Sequence, residues 1–257
     1  MTKIINYILK PIILFFESVG EYLFLMSKIF RSSDSWDKYL GNVIDQMIII
    51  GTKSLPIVII TSLFSGMVTS VQGAYQMTTS LVPKWYLGGI VGESVILELA
   101  PVITGLVMAG KVGANIAAEI GTMRVTEQID ALETLSLDPI AYLIFPRVVA
   151  GIVMFPVLII IADFFGIFGG AFACMTSLDI NLYQFLKGLK SWFNPWDATF
   201  GIIKAISFGF AVTSIASYFG YYTKGGAAGV GKATTSTVVV SCVTILILDY
   251  LLAEILL

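Results

Sequence analysis

Polar residues Lys3, Asn6, Lys10, Glu17, Glu21 and Lys28 recur at spacings of three, four and seven, while Ile5, Ile8, Ile12, Phe15, Val19, Leu23 and Met26 line the opposite side. That periodicity predicts an amphipathic helix over residues 3–30, lying in a membrane interface with its apolar face down. A cleaved signal peptide fits worse, because Pro11 is interior, Glu17 and Glu21 come early, and no small-residue cleavage site follows. The polar stretch 31–38 then breaks the pattern.

Five long apolar runs follow, over residues 47–71, 87–108, 148–174, 200–218 and 237–257. Each is near the roughly 20 residues that cross a bilayer at about 1.5 Å per residue. Lys53 and Pro56 interrupt the first, which predicts a span with an amphipathic entrance. The runs are continuous rather than alternating, so membrane-barrel strands are excluded. The expected fold is an all-α polytopic membrane protein: an N-terminal interfacial amphipathic helix (1–30), then a five-span bundle within 40–257, together one domain over 1–257. Composition agrees. The chain is 57% hydrophobic and 12% charged, against about 25% charged for a soluble domain.

Charge placement sets the direction. With the N-terminus inside, Lys3, Lys10, Lys28, Arg31, Lys38, Lys111, Arg124, Arg147, Lys224 and Lys232 face the cytoplasm, while only Lys84, Lys187 and Lys190 face out. That bias follows the positive-inside rule and leaves the C-terminus on the periplasmic side. The outer connection 175–197 carries Trp192, Pro195 and Trp196, and predicts a short interfacial helix.

The chain has no histidine, and Cys174 and Cys242 sit inside apolar runs. A zinc site, a haem and a histidine-based triad are disfavoured, and the two thiols read as small hydrophobes. No basic patch suggests a nucleic-acid partner.

Residues 111–139 form a charged island between the second and third runs. Val125, Ile129 and Leu132 are expected on one helical face, with Arg124 at its start and Glu127, Asp130 and Glu133 as an acidic rim. A short helix with both greasy and charged groups suits a groove on a cytosolic protein. Ala109, Gly113, Ala117 and Gly121 repeat at i+4, as do Gly166 and Gly170, seams that serve either internal packing or a dimer. In the second inner loop, Gly226 to Lys232 approaches a phosphate-binding loop, but Ala233 stands where Ser or Thr would hold magnesium and no strand precedes it. A glycine-rich turn is the plainer reading.

Glu98, Asp163 and Asp249 fall well within the runs, and Glu93 and Glu254 lie nearer an edge. Charge in lipid is costly, so each is expected either to line a lipid or ion path or to pair internally, for example with Lys204. No nucleophile and base occur together, so no catalytic, cofactor-binding or metal-ligating residue is assigned.

The stretch 98–133, ELAPVITGLVMAGKVGANIAAEIGTMRVTEQIDALE, resembles the hallmark of the MlaE-type permeases of bacterial lipid ABC transporters. Asp138-Pro139, Pro146-Arg147, the stretch 204–209, Tyr218, Gly220, the stretch 225–235 and Asp249-Tyr250 continue the resemblance over the last two-thirds of the chain. It implies an inner-membrane permease subunit, a homodimer, that works with two cytoplasmic ABC ATPase subunits and outer-side MCE-domain proteins. ATP and magnesium would belong to the ATPase, and no cofactor to this chain. The cargo implied is phospholipid, carried between the inner membrane and the outer membrane whose lipid asymmetry depends on it, through a cavity at the dimer interface. The coupling helix that enters the ATPase groove would correspond to residues 119–132, so Glu119, Ile120, Gly121, Arg124, Glu127 and Asp130 inherit that role by position. The competing classes are an ion-coupled secondary transporter, which would favour inverted repeats, and a membrane scaffold, which would lack a lipid-sized cavity.

Overall fold

The computed structural model describes residues 2–31, 39–77 and 83–257, with side chains inside the first helix described at 13 and 16–29. The polar break at 32–38 and the side chains of Lys3, Ile5, Asn6, Ile8, Lys10, Ile12 and Phe15 lie outside those residues. Among the described residues the chain is helical and contains no strand.

α1 (Thr2–Arg31) leads to α2 (Leu40–Ile50), a 3₁₀ turn at Thr52–Ser54 and α3 (Leu55–Gln76), whose Pro56 sits in the first turn, where a missing N–H costs nothing. α4 (Tyr86–Ser94), α5 (Ala100–Met108) and α6 (Ala114–Val125) form one helical column joined by π turns at Val95–Leu99 and Ala109–Gly113. α7 (Gln128–Thr134) is a single short element, and a π turn at Ile140–Ile144 opens α8 (Phe145–Ser177). α9 (Leu182–Trp192) fills the expected place of the short outer helix, followed by α10 (Pro195–Tyr221) and α11 (Gly226–Leu256).

Five helical stretches are long and apolar enough to cross a membrane: Leu40–Gln76, Tyr86–Val125, Ile140–Ser177, Pro195–Tyr221 and Gly226–Leu256. Their number matches the sequence reading and their ends do not. The second span was expected to stop at residue 108, yet its helix runs on through the first half of the charged island to Val125. The fifth begins at Gly226, so the inner loop expected over 221–235 shrinks to a short reversal. Hydropathy locates the lipid-compatible part of a helix; backbone hydrogen bonding continues past it wherever polar residues still favour helix.

α10 is the most enclosed span: Phe200, Lys204, Phe208, Val212 and Ala216 are all buried. α8 packs between α3 and α10, and α6 lies against α10 and α11. The α3–α8 crossing needs Gly66, where a Cβ would run into the Gly166 backbone. The expected seam on the second span also faces inward. Gly113 lies against Val212 and Thr237, and Gly121 against Thr223 and Val230, so these small residues serve internal packing. The reversal before α11 uses left-handed Gly225 (φ 93°) and Gly226 (φ 69°), a conformation glycine adopts without a Cβ clash.

Leu25, Met26 and Ile29 bury the C-terminal half of α1 against the bundle, while Val19 and Leu23 stay exposed. Hydroxyl contacts fix it to α10: Tyr22 Oη and Ser214 Oγ are 2.8 Å apart, and Tyr218 Oη donates to Glu21 at 3.0 Å. Burial pushes the Tyr22 phenol above its usual range, so it stays neutral. Outward faces remain apolar on α3 (Ile60, Phe64, Val68), α8 (Val157, Ile160, Phe164) and α11 (Val239, Val243, Leu246). In water such stripes would drive association; lipid tails cover them without cost.

Candidate functional site

Two charged centres stand on the same helical column. The upper one begins with a missing donor. In a regular helix the Leu97 carbonyl would accept from residue 101, but Pro101 has no N–H to give. Lys204 of α10 fills the gap, its Nζ donating to Leu97 O at 2.9 Å and to Glu98 Oε2 at 2.9 Å. Asp249 Oδ1 of α11 lies 2.6 Å from the same ammonium, an ion pair not aligned as a hydrogen bond. The Lys204 side chain is 1% exposed and its Nζ lies 4.7 Å from the centre of the Phe200 ring. One lysine therefore balances two acids inside the bundle, and ties the second, fourth and fifth spans together.

Glu98 looks two ways. Its other side opens on a cavity of about 530 Å³ lined by Thr69, Gln72, Glu93, Ser94 and Leu99. The structure thus brings two of the three expected intramembrane acids, Glu98 and Asp249, onto Lys204. Asp163 on α8 is not part of that cluster, does not line that cavity, and has a buried Oδ1 without a hydrogen-bond partner among the described residues.

The lower centre is the elbow where α6 ends. Ile116, Ala117, Ile120 and Gly121 are buried against α10 and α11 and hold α6 in place. Thr126 caps with its N–H to Thr122 O at 2.9 Å, and Glu127 turns left-handed (φ 59°) to start α7. The single helical face expected for Val125, Ile129 and Leu132 is therefore broken: Val125 ends α6, whereas Ile129 and Leu132 belong to α7. A left-handed non-glycine residue stops one helix and re-aims the next. Ile129 is fully buried and pins α7, leaving Glu127, Asp130, Glu133 and Leu135 exposed.

Arg124 closes the elbow. Its Nη1 lies 2.7 Å from Asp130 Oδ1, and its guanidinium sits 5.6 Å from the centre of the Tyr221 ring at the end of α10. Glu119 points the other way, its Oε1 2.8 Å from Nη2 of Arg147 on α8. Arg147 is almost fully buried and also donates Nη1 to Leu143 O at 2.6 Å. Of the six residues expected to couple, Ile120 and Gly121 are buried packing positions. Glu119, Arg124, Glu127 and Asp130 carry the polar geometry.

The sequence placed Arg147 only among the inward-facing cations and in the family pattern, and gave no sign of the Arg124–Tyr221 contact or the Glu21–Tyr218 tie. A signal existed for Arg147: a lone cation directly after Pro146 at the start of an apolar run needs a partner.

A family model described as Permease MlaE matches residues 43–255. A probable ABC transporter permease protein of Rickettsia felis is 43% identical over 254 residues, covering 99% of this chain and 98% of that protein. The intermembrane phospholipid transport system permease protein MlaE of Haemophilus influenzae is 35% identical over 258 residues, covering 98% of each chain. The chloroplastic protein trigalactosyldiacylglycerol 1 of Arabidopsis thaliana is 37% identical over 213 residues, covering 83% of this chain and 61% of that protein. Five apolar spans and these matches define a multi-pass inner-membrane ABC transporter permease. The chain belongs to the MlaE permease family.

Proposed function

We propose that this chain is the non-catalytic transmembrane subunit of an ATP-driven phospholipid transporter, acting as a homodimer over one permease domain. Two cytoplasmic ABC ATPases, which hold the ATP and magnesium, dock on the α6–α7 elbow. MCE-domain proteins receive or deliver lipid on the outer side, and α1 lies in the inner membrane interface with its N-terminus cytoplasmic. The phospholipid assignment is supported by the name of the Haemophilus relative.

One observation carries the mechanical part. Glu98 and Arg124 stand on the same helical column, Tyr86–Val125, roughly 40 Å apart at about 1.5 Å per residue. A push on the elbow reaches the Glu98 cavity through packed helix rather than through a loop. Glu119–Arg147 carries the same displacement to α8, and Lys204 carries it to α10 and α11. The cavity beside Glu98, with Thr69, Gln72 and Ser94 on its wall, offers polar groups to a headgroup within an otherwise apolar bundle. Asp163 is a further candidate on the lipid path.

The test is mass spectrometry of the gently solubilised complex from native membranes. A cytosolic ATPase, an outer-side partner and stoichiometric phospholipid support the reading. Repeated recovery of the chain without ATPase or lipid overturns it in favour of an ion-coupled transporter or a scaffold.

A further inference from the structure

A second cavity, of about 300 Å³, lies between α1 and the α10–α11 reversal, away from the Glu98 cluster. Its wall includes Glu21, Tyr222, Thr223, Lys224, Lys232 and Ser236. Neither Lys224 nor Lys232 forms an ion pair among the described residues. Among the described residues Glu21 is the one acid on this wall, and its carboxylate already accepts the Tyr218 hydroxyl at 3.0 Å. Two ammonium groups against one engaged carboxylate leave the cavity with a net positive charge.

The backbone explains why the two lysines converge. Gly225 and Gly226 reverse the chain in left-handed conformations, and Gly229 sits so close to the Lys224 carbonyl that a Cβ there would overlap it. The first turns of α11 therefore fold directly back over Lys224, and Lys232 comes round to the same opening. Lysines at the inner end of a span ordinarily reach into water or toward headgroups. These two are exposed, and both border one open recess with the hydroxyl-bearing Tyr222 and Ser236. At roughly 30 Å³ per water, its volume matches about ten waters, enough for a glycerophosphate group and too little for acyl tails.

We propose that this recess binds a phosphate ester, held by Lys224 and Lys232 with hydroxyl support from Tyr222 and Ser236. The chemistry is shared by an anionic lipid headgroup at the membrane boundary and by a soluble phosphate ester. The recess does not resemble a nucleotide site, since Ala233 supplies no hydroxyl for magnesium. Its place gives the bound anion a consequence. It would bridge α1 to the α10–α11 reversal, next to Tyr221, on which the Arg124 elbow rests. Binding is independent of the transport reading and does not require it.

The test uses native mass spectrometry of the full-length purified protein, titrated with phosphatidylglycerol or phosphatidylcholine. Three forms are compared: unsubstituted protein, Lys224→Gln/Lys232→Gln, and a charge-matched control, Lys187→Gln/Lys190→Gln on α9. The unsubstituted protein and the control should retain phosphatidylglycerol about tenfold better than phosphatidylcholine, and the Lys224/Lys232 variant should lose that preference while remaining monodisperse. A glycerol 3-phosphate arm separates the sources: displacement of the lipid assigns the site to soluble esters, and retention of the lipid assigns it to the headgroup. Equal retention of both lipids by the unsubstituted protein, or an equal loss in the α9 control, overturns the proposal.

Discussion

Arg147 Nη2 on α8 lies 2.8 Å from Glu119 Oε1 on α6, with the arginine buried and the glutamate half-exposed. The pair fastens the start of the third span to the column that carries the elbow. It is asymmetric, because the arginine cannot retreat to water when its partner is removed.

Glu119→Ala strands that guanidinium, whose Nε also has no hydrogen-bond partner among the described residues. The expected cost is about 1–3 kcal/mol, the penalty for leaving a buried donor unpaired. Thermal unfolding of detergent-solubilised protein measures it. Adding Arg147→Met to Glu119→Ala should recover part of the loss. A further drop on the second substitution would show that Arg147 stabilises through packing alone.

Lys204 balances two acids and a freed carbonyl, so Lys204→Met should be more damaging than either acid substitution. Breaking a buried charge cluster by removing one partner costs about 3–5 kcal/mol. Asp249→Asn leaves the Lys204–Glu98 pair intact at 2.9 Å and should cost less. Chemical-denaturant or thermal midpoints should fall in that order. The double variant Lys204→Met/Asp249→Leu should regain stability without regaining lipid movement.

The Arg124–Asp130 pair is exposed at the elbow, with side chains 35% and 55% accessible. Such pairs contribute about 0–1 kcal/mol to stability. Arg124→Glu should therefore unfold nearly as the unsubstituted chain does, yet lose co-purification with the proposed ATPase partner. Loss of fold alongside loss of binding would place Arg124 in the scaffold instead.

Gly66→Val should prevent the α3–α8 crossing, because the Gly166 backbone occupies the space a side chain needs. Overpacking of this kind costs about 1–3 kcal/mol or more, and a backbone neighbour cannot rotate away. Size-exclusion profiles should show aggregated protein. Gly110, where a Cβ would meet nothing within 4 Å, should tolerate Ala and serves as the control.

Much of the architecture was legible because lipid imposes a simple rule: backbone must be helical and outward faces must be apolar. The five spans followed from that rule alone. What was hidden lay where the rule does not reach. Lys111 to Val125 is polar enough to leave the membrane, and hydropathy cannot tell a helix that continues from a loop that begins. The left-handed Glu127, which splits the expected coupling helix, carries no glycine to announce it. The acids and Lys204 were visible as residues that needed partners. Their convergence was not, since Lys204 is 106 residues from Glu98 along the chain. Pro101 held a usable clue, because it fixes which carbonyl, Leu97, must look elsewhere for a donor.

The most direct measurement is fluorescent phospholipid movement in vesicles that contain the purified permease with its proposed partner ATPase. Expected is movement that requires ATP and both proteins, is lost in Arg124→Glu with the fold intact, and is unaffected by collapsing ion gradients. Movement driven by an ion gradient without ATP, or no movement while ATP is hydrolysed, would contradict the coupling of elbow to cavity through the Tyr86–Val125 column.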